Sequence, residues 1–522
     1  MNGDNVQILI AMTAYVVVII GIGLYFSKRA HKSSDFYFIG GRTLGPWLTA
    51  MSAEASDMSG WLLMGLPGVA YWVGLSDAIW TAIGLSIGTY LNWLLVARRL
   101  RRYSIVAGNS ITIPEFLSKR YKENKKVILT IASLFILVFF TVYASSCFVT
   151  VGKLFSTLFN VKYQYMMVLG ALFVVVYTFL GGFLAESASD FIQGIIMIFA
   201  LVVLLIVGIF SAGGISAIVN NVKEIPGFFE FFGIAQPTLV DGVQQVEAGK
   251  PLFDEAGRYG FLAIISTLSW GLGYFGMPQV LLRFMAIRKT EELKSSRRIA
   301  IIWCVISLIA AVAIGITGRK LYPDELVTQS ASENIFIVMS TRLLPSFIAG
   351  VVMAGILAAT MSSSDSYLLI AASAVSKDIF QGIFKKNATD KQVMLVSRIT
   401  LLLIAVFGII IALDEKSIIF KVVSFAWAGF GATFGPIMLF SLFWKKTTRS
   451  GAIAGMLAGG ITVFVWKLLV RDLGGVFDIY ELLPAFVISS VVIFVVSLLT
   501  EKPSQDILDE FETVKGNVEL SA

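Results

Sequence analysis

A carboxylate and several hydroxyl groups fall within one apolar segment that is long enough to cross a bilayer. Residues 51–68 read MSAEASDMSGWLLMGLPG. A carboxylate at the depth of the membrane core costs roughly 2.5 to 3.5 kcal/mol on insertion scales, so it needs a partner there. Glycine and serine cluster beside Glu54 and Asp57. We therefore expect the helix to break between Ser56 and Gly60, with freed backbone carbonyls helping to bind a cation.

Two further apolar segments carry polar groups that could take part in such a site. In the first, several glycines and a proline weaken helical hydrogen bonding, and Trp270, Tyr274 and Pro278 recur every four residues on roughly one helix face. The second is a ladder of hydroxyl groups with one acid: Thr360, Met361, Ser362, Ser363, Ser364, Asp365 and Ser366. A broken helix and facing hydroxyls would together supply the oxygen ligands that a hard cation such as Na⁺ takes.

Each of these features also has a purely structural interpretation. Glycine and serine are common where transmembrane helices pack closely, so the serines of 362–366 could pack as readily as they ligate. Trp270 and Tyr274 could equally be core or interface aromatics. The string GLGYFG at 271–276 matches the dinucleotide-binding fingerprint, but it lies inside an apolar span with no strand before it, which argues against that function. Asp190 starts a predicted span and could be a helix N-cap.

The composition indicates the elements that must hold these residues. The chain has 522 residues, of which 57% are hydrophobic and 14% charged. A soluble protein would carry roughly 25% charged residues. We therefore predict an all-α polytopic membrane protein, in which each span approaches the ~20 residues that cross a hydrocarbon core. Thirteen spans, numbered in chain order, are predicted at 6–27, 45–69, 74–97, 127–150, 163–182, 190–211, 259–283, 299–318, 346–375, 393–413, 422–444, 450–469 and 480–500.

The distribution of basic residues predicts the orientation. Most Lys and Arg residues fall in the loops 28–44, 98–126, 284–298, 376–398 and 445–449, which all lie on one side of a thirteen-span chain. Cytoplasmic loops of membrane proteins carry this excess. We predict a multi-pass plasma-membrane protein with its N-terminus outside and its C-terminus in the cytoplasm. The net charge of +7 then reflects topology rather than nucleic-acid binding.

The two interrupted helices, spans 2 and 7, lie five spans apart. Because five is an odd number, a second five-span unit enters the membrane from the opposite side. Spans 2–6 and 7–11 therefore fit a five-plus-five inverted repeat, with flanking helices on either side and the binding site at the midplane. We expect residues 1–500 to form a single transmembrane transport domain with a long external loop at 212–258, followed by a short cytoplasmic tail at 501–522.

Four strings of the sequence resemble the sodium/solute symporter family, and within it the bacterial sodium/proline symporters. The strings are ASDMSGWLLMGLPG at 55–68, SWGLGYFGMPQVLLRFMA at 269–286, GGFLAESASDFIQG at 181–194 and FIGGR at 38–42. The resemblance covers nearly the whole chain. It implies a LeuT-type fold and Na⁺-coupled symport of a small molecule by alternating access, with L-proline as the first candidate substrate and Na⁺ as the coupling ion.

The resemblance also assigns roles to individual residues. The sodium site would consist of the backbone carbonyls and hydroxyls of Ala55, Met58, Ala359, Ser362 and Ser363. Residues associated with ion coupling would be Asp57, Ser59, Gly60 and Asp190. The substrate pocket would be shaped by Trp270, Tyr274, Pro278 and Tyr143. Arg283, at the inner end of span 7, would have a gating or structural role.

Some residues depart from the family pattern. Glu54 and Glu186 stand where small or apolar residues are usual, Ser363 stands where threonine is usual, and Asp365 is an unexpected acid. Extra carboxylates near an ion site leave open H⁺ as the coupling ion, or a substrate with additional positive charge.

Other functions remain open alternatives. The same fold could carry another small amino acid, osmolyte or carboxylate, with Na⁺ or H⁺ coupling. Further alternative functions are a passive channel, an intramembrane enzyme and a transporter-like sensor. For an enzyme, the only histidine is His31, in a predicted loop, and no HExxH motif is present. We expect no catalytic residues, no organic cofactor, no nucleic acid and no obligate protein partner; the expected partners are the substrate and the lipid bilayer.

Overall fold

The computed structural model describes residues 3–30, 34–180 and 182–516, and most of them are helical. His31 lies outside the described residues. The helices follow the predicted spans in order. From span 1 to span 13 they are Gly3–Ala30, Pro46–Asp57 with Trp61–Val73, Leu75–Val106, Val127–Phe159, Tyr163–Leu180, Phe183–Ser211, Phe261–Gly276 with Pro278–Ala286, Leu293–Leu321, Ser346–Phe384, Asp390–Ile411, Ile419–Phe443, Arg449–Leu473 and Leu482–Leu499.

The predicted number of spans is not confirmed. Within the described residues, ten helices are long and apolar enough to cross a membrane, and the bent pair in span 7 would make eleven. Span 2 does not qualify because it is broken, and the apolar part of span 5, Tyr163–Phe179, is short. An interrupted apolar segment is read from its composition as one span. In the structure the break divides it into two helices, and each is too short to cross a membrane alone.

Both predicted interruptions are present. In span 2 the helix ends at Asp57, Met58 leaves helical geometry with φ −84° and ψ 75°, and a π-helix begins at Trp61. In span 7 a 3₁₀ segment, Ser269–Gly276, leads to an extended Met277 and a 43° bend. Pro278 then opens the next helix, where its missing N–H costs nothing.

Small residues let the broken helices approach their neighbours. A Cβ on Gly273 of span 7 would lie 1.9 Å from Trp427 Nε1 in span 11, and one on Gly60 would lie 2.4 Å from Thr150 Oγ1 in span 4. Span 9 packs against spans 1, 4 and 6, and nearly all of its central residues are buried. Spans 2, 7 and 9 therefore meet in the protein interior, where lipid does not reach their irregular backbone.

The prediction of an all-α fold is corrected in the loop 212–258. This loop holds the helix Ile215–Val222 and three two-stranded antiparallel sheets. Their strand pairs are Gly233–Ile234 with Gly257–Arg258, Leu239–Val240 with Val243–Gln244, and Val246–Glu247 with Lys250–Pro251. Two of the hairpins turn at Asp241–Gly242 and Ala248–Gly249, where all four residues have positive φ. The Asp-Gly pair in VDGVQ was the available sequence signal for a two-residue hairpin.

The tail is more ordered than its polar composition suggests. It contains the helix Gln505–Lys515, with Ile507, Phe511 and Val514 buried. Arg102, at the end of span 3, donates to the backbone carbonyls of Val514 and Gly516. The tail helix therefore packs against the C-terminal end of span 3 through a narrow apolar face.

Candidate functional site

The break in span 2 lies against the hydroxyl ladder of span 9. The Ser362 hydroxyl donates to the Ala55 carbonyl at 2.8 Å and to the Ala359 carbonyl at 3.2 Å. The Ser363 hydroxyl also donates to the Ala55 carbonyl, at 3.3 Å. Four of the five residues proposed as sodium ligands thus bring their oxygen atoms into one buried cluster, which we call the oxygen cluster: Ala55, Ala359, Ser362 and Ser363.

Met58 occupies the break itself. Its amide still bonds to the Glu54 carbonyl, which closes the last turn of the first half-helix. No donor in the described part of the chain bonds to the Met58 carbonyl. The fifth proposed ligand therefore offers a free backbone oxygen, but the hydroxyls of Ser362 and Ser363 donate to other carbonyls.

Asp57 links the break to span 7. Its carboxylate accepts a hydrogen bond from the Tyr274 hydroxyl at 2.8 Å and a longer one from Gln279 Nε2 at 3.4 Å. Its backbone carbonyl accepts from Trp61 Nε1 at 3.3 Å and from the Tyr143 hydroxyl at 3.4 Å. Asp57 is fully buried, so these donors replace the water that a carboxylate would otherwise bind.

The proposed pocket aromatics lie in a larger aromatic cluster. The Trp270 ring lies 5.0 Å from Phe420 and 5.1 Å from Tyr480, measured between ring centroids. Trp427 of span 11 donates from Nε1 to the Trp270 carbonyl at 2.8 Å, and its ring meets Tyr274 edge-on at 5.0 Å. Trp270 is 4% exposed. Aromatic rings thus surround Trp270, and one of them, Trp427, also lies against Tyr274, the partner of Asp57.

Sequence reasoning missed Phe420, Trp427 and Tyr480. Phe420 and Trp427 belong to span 11, and Tyr480 comes just before the helix of span 13, so all three are far along the chain from span 7. The only local signal was Trp427 within AWAGFG, where small residues leave room for a large ring. That signal marks close packing, but it does not identify the ring's partner.

Pro278 and Tyr143 occupy different parts of this region. Pro278 begins the second half-helix of span 7 and lines a small pocket with Phe38, Ile113 and Leu282. Tyr143 reaches the break through the Asp57 carbonyl, so it approaches the site from span 4. Of the four proposed pocket residues, three therefore meet at the break, and Pro278 lies beside it.

Asp190 is not a helix N-cap. Span 6 begins earlier, at Phe183, so Asp190 lies in the helix interior. Its carboxylate accepts from Ser52 Oγ at 2.7 Å and from Arg283 Nη2 at 3.2 Å. Arg283 also donates to Glu186, which makes a buried ion-pair network of one guanidinium and two carboxylates. Charges taken out of water are tolerated only when they are paired in this way.

The unexpected acids lie in two different environments. Asp365 of span 9 accepts from the Ser366 amide at 2.9 Å, and it lines a small cavity together with Glu186. Ser366 in turn bonds to both Arg283 and Glu186. Asp365 therefore lies beside the Arg283 network, which leaves three carboxylates around one guanidinium.

Glu54 lies apart from that network. One of its oxygens accepts from Trp93 Nε1 of span 3 at 3.4 Å, and the other has no hydrogen-bond partner among the described residues. Nothing in the structure explains why an acid stands at this position.

Comparison with known proteins places these features in a family. The model of the sodium:solute symporter family matches residues 37–459, which include the break, the hydroxyl ladder and both half-helices of span 7. The chain belongs to the sodium:solute symporter family. It is a Na⁺-coupled solute symporter and a multi-pass membrane protein.

Curated relatives support the same assignment. The chain is 40% identical over 520 residues to the sodium/proline symporter of Staphylococcus aureus strain USA300, covering 98% of this chain and 97% of that protein. The sodium/proline symporter of strain NCTC 8325 gives the same values. These relatives therefore span the chain from end to end.

Two solved structures share the fold. One is the substrate-bound outward-open state of a Na⁺-coupled sialic acid symporter, with a TM-score of 0.76, 19% identity, and coverage of 96% of this chain and 99% of the other. The second is Mhp1, a nucleobase-cation-symport-1 family transporter in a closed conformation, with a TM-score of 0.52, 12% identity, and coverage of 91% and 98%. The fold is thus that of LeuT-like sodium symporters.

Proposed function

We propose that this protein takes up L-proline into the cell by Na⁺-coupled symport across the plasma membrane. The observation that carries the proposal is the shared break in span 2. On one side of it lies the oxygen cluster, and on the other lies Asp57 bonded to Tyr274 under an aromatic cover. One short backbone segment therefore serves both a cation and an organic substrate. The relatives named sodium/proline symporters support proline as that substrate.

The oxygen cluster suggests how Na⁺ acts. The serine hydroxyls donate to the Ala55 carbonyl, whereas a bound cation needs lone pairs from all three oxygens. Na⁺ binding would turn both hydroxyls so that oxygen atoms of spans 2 and 9 coordinate one ion. This ties the break to span 9 and fixes the backbone that carries Asp57. Ion binding thereby prepares the substrate pocket, as symport requires.

The aromatic cover suggests how proline is held. A pyrrolidine ring is compact and apolar, so it suits the aromatic surface that Trp270, Tyr274 and Trp427 form together. The secondary ammonium group matches the Asp57 carboxylate, which bonds only to the uncharged Tyr274 and Gln279 side chains in the described part of the protein. The substrate carboxylate faces the start of the second half-helix of span 2, where amide groups point outward.

Transport then follows from differential affinity. Na⁺ and proline shift the protein between outward-open and inward-open states only in so far as they bind those states unequally. At a membrane potential of 100 mV, inside negative, each Na⁺ contributes ~2.3 kcal/mol in addition to its concentration gradient. This energy is sufficient to concentrate a neutral zwitterion inside the cell.

The decisive experiment is uptake of labelled proline into proteoliposomes. We expect accumulation with an inward Na⁺ gradient and none with a Li⁺ or H⁺ gradient alone. Equal uptake in the absence of Na⁺ would overturn sodium coupling of proline. Accumulation driven by H⁺ would instead favour the alternative of proton coupling, to which the carboxylate excess around Arg283 points.

The serine ladder supplies a matched test of the ion site. Ser362→Ala and Ser363→Ala each remove an oxygen from the cluster, so we expect the Na⁺ concentration for half-maximal uptake to rise roughly tenfold, about 1.4 kcal/mol. Ser364→Ala is the control, because the Ser364 hydroxyl bonds to carbonyls of its own helix at Thr360 and Met361. An equal effect of all three substitutions would show that the site is misplaced.

A competition panel tests the substrate. Unlabelled proline should suppress labelled uptake at the lowest concentration, ahead of other small zwitterions, osmolytes and carboxylates. If another compound competes better, the transport mechanism stands and the cargo changes.

A further inference from the structure

Tyr367 lies on the same helix face as Ser363 of the oxygen cluster. It follows Ser363 by four residues in span 9, a spacing that stacks two side chains on one face. Its ring lies 4.2 Å from Tyr143 and 5.1 Å from Phe140, measured between centroids. The side chain is fully buried. Tyr367 therefore lies beside the tyrosine that reaches the break in span 2.

In the described part of the protein, the Tyr367 hydroxyl makes no hydrogen bond of standard geometry. Its polar neighbour is the Tyr143 hydroxyl, which also lies near Ser59, but Tyr143 gives its own proton to the Asp57 carbonyl, and the approaches of the Tyr367 and Ser59 hydroxyls to it do not meet hydrogen-bond geometry. The hydroxyls of Tyr367 and Ser59 bond to no other group in the described part of the protein. A buried polar group left in this state costs about 1–3 kcal/mol. Two unused donors thus lie on the span 4 and span 9 side of the break.

Hydrogen-bond donors and acceptors lie on different sides of the break in span 2. The Gly60 amide, also at the break, finds no acceptor among the described residues, so it adds a third donor. On the span 7 side, the Asp57 carboxylate accepts hydrogen bonds from Tyr274 and Gln279. A ligand that carries an anionic group at one end and a cationic group at the other matches this arrangement in one orientation only.

We propose that the Tyr367 hydroxyl, together with Ser59, binds the carboxylate of the transported zwitterion and so directs its ammonium group toward Asp57. This inference rests on the proposed function, since it concerns the substrate of the same site. Tyr367 is then a specificity-determining residue, because it selects substrates with a free carboxylate. The bond also links substrate binding to the helix that carries Ser362 and Ser363.

Tyr367→Phe tests the inference without disturbing the packing. The substitution keeps both ring contacts and removes only the unpaired hydroxyl. We expect the proline concentration for half-maximal uptake to rise roughly tenfold, the loss typical of a hydrogen bond to a charged acceptor. The maximal rate and the Na⁺ dependence should stay close to wild type. Prolinamide, which lacks the carboxylate, should compete equally well against wild type and Tyr367→Phe.

Tyr163→Phe is the matched control. Tyr163 is also buried, but its hydroxyl donates to the Ala412 carbonyl at 2.8 Å, away from the break. The inference is wrong if Tyr367→Phe behaves like Tyr163→Phe, or if it weakens prolinamide as much as proline. If wild type takes up neither proline nor any other zwitterion of the panel, the proposed function and this inference fail together. If wild type takes up proline and Tyr367→Phe leaves it unchanged, only this inference fails.

Discussion

Asp57 is the residue at which the proposed ion and substrate sites meet. Its backbone belongs to the break that exposes the Ala55 and Met58 carbonyls, while its side chain bonds to Tyr274. No hydrogen bond among the described residues joins the carboxylate to the serines of span 9. We therefore propose that Asp57 acts on a nearby cation through its charge and through the shape of the break, and on the substrate directly.

Replacing this charge should affect ion use more than folding. In Asp57→Asn, the amide oxygen still accepts the Tyr274 hydrogen bond, but the negative charge is gone. We expect the Na⁺ concentration for half-maximal proline uptake to rise tenfold or more, as measured in a Na⁺ titration. Asp77→Asn is the control. Asp77 lies in span 3, and its carboxylate also accepts a hydrogen bond from a tyrosine, Tyr259. Equal Na⁺ dependence in both variants would contradict a special role for Asp57.

Arg283 illustrates a different kind of residue. Its guanidinium pairs with both Glu186 and Asp190 in the protein interior, so its loss would leave these two carboxylates without a positively charged partner. Breaking a buried ion pair by removing one partner destabilises a protein by roughly 3–5 kcal/mol.

We therefore expect Arg283→Met to lower the thermal unfolding temperature in detergent. The triple variant with Glu186→Gln and Asp190→Asn should recover most of that loss, because the two carboxylates that pair with Arg283 are then neutral. An unfolding temperature for Arg283→Met equal to that of wild type would show that the network does not stabilise the fold.

At the scale of the element, close approach between helices decides where the broken spans lie. Gly273 lets the 3₁₀ segment of span 7 rest directly on Trp427. That contact allows Trp427 Nε1 to donate to the Trp270 carbonyl. The break, the glycine and the tryptophan therefore form one packing arrangement.

Gly273→Ala tests this arrangement. The new methyl group would lie 1.9 Å from Trp427 Nε1, so the ring or the half-helix must move. Overpacking of this kind costs typically 1–3 kcal/mol, and we expect proline uptake to fall about tenfold or more. Gly21→Ala in span 1 is the control, because nothing lies within 4 Å of the added atom. Normal uptake by Gly273→Ala would show that span 7 tolerates a shift there.

At the scale of the whole molecule, the orientation predicted from the basic loops can be checked by labelling. The two native cysteines, Cys147 and Cys304, are buried, so an introduced cysteine would be the accessible one. Glu247 lies in the hairpin region of the loop 212–258 and Lys386 lies in the loop after span 9, and both are exposed.

A membrane-impermeant maleimide should label Glu247→Cys in intact cells, and it should label Lys386→Cys only after permeabilisation. The reverse pattern would invert the predicted topology. Labelling of both positions in intact cells would mean that an odd number of spans does not separate them.

The sequence by itself determined the order of the apolar helices and where two of them break. Glycine, proline and an acid inside an apolar run weaken helix hydrogen bonding locally, so their effect is visible without knowing any neighbour. The sequence also located the Ser362–Ser363 pair, because a run of hydroxyl residues inside an apolar span is visible as a pattern and resembles the family's. It could not fix the number of spans, because a break shortens the helices on either side of it.

Only the tertiary structure decided which partners these residues have. Asp57 meets Tyr274, Asp190 meets Arg283, and Tyr367 meets Tyr143, and each pair joins spans that are far apart in the chain. The hairpins of the loop 212–258 likewise required strand pairing to become visible. Such contacts depend on the angle and depth at which helices cross, and these follow from the packing of all the spans together rather than from any one segment.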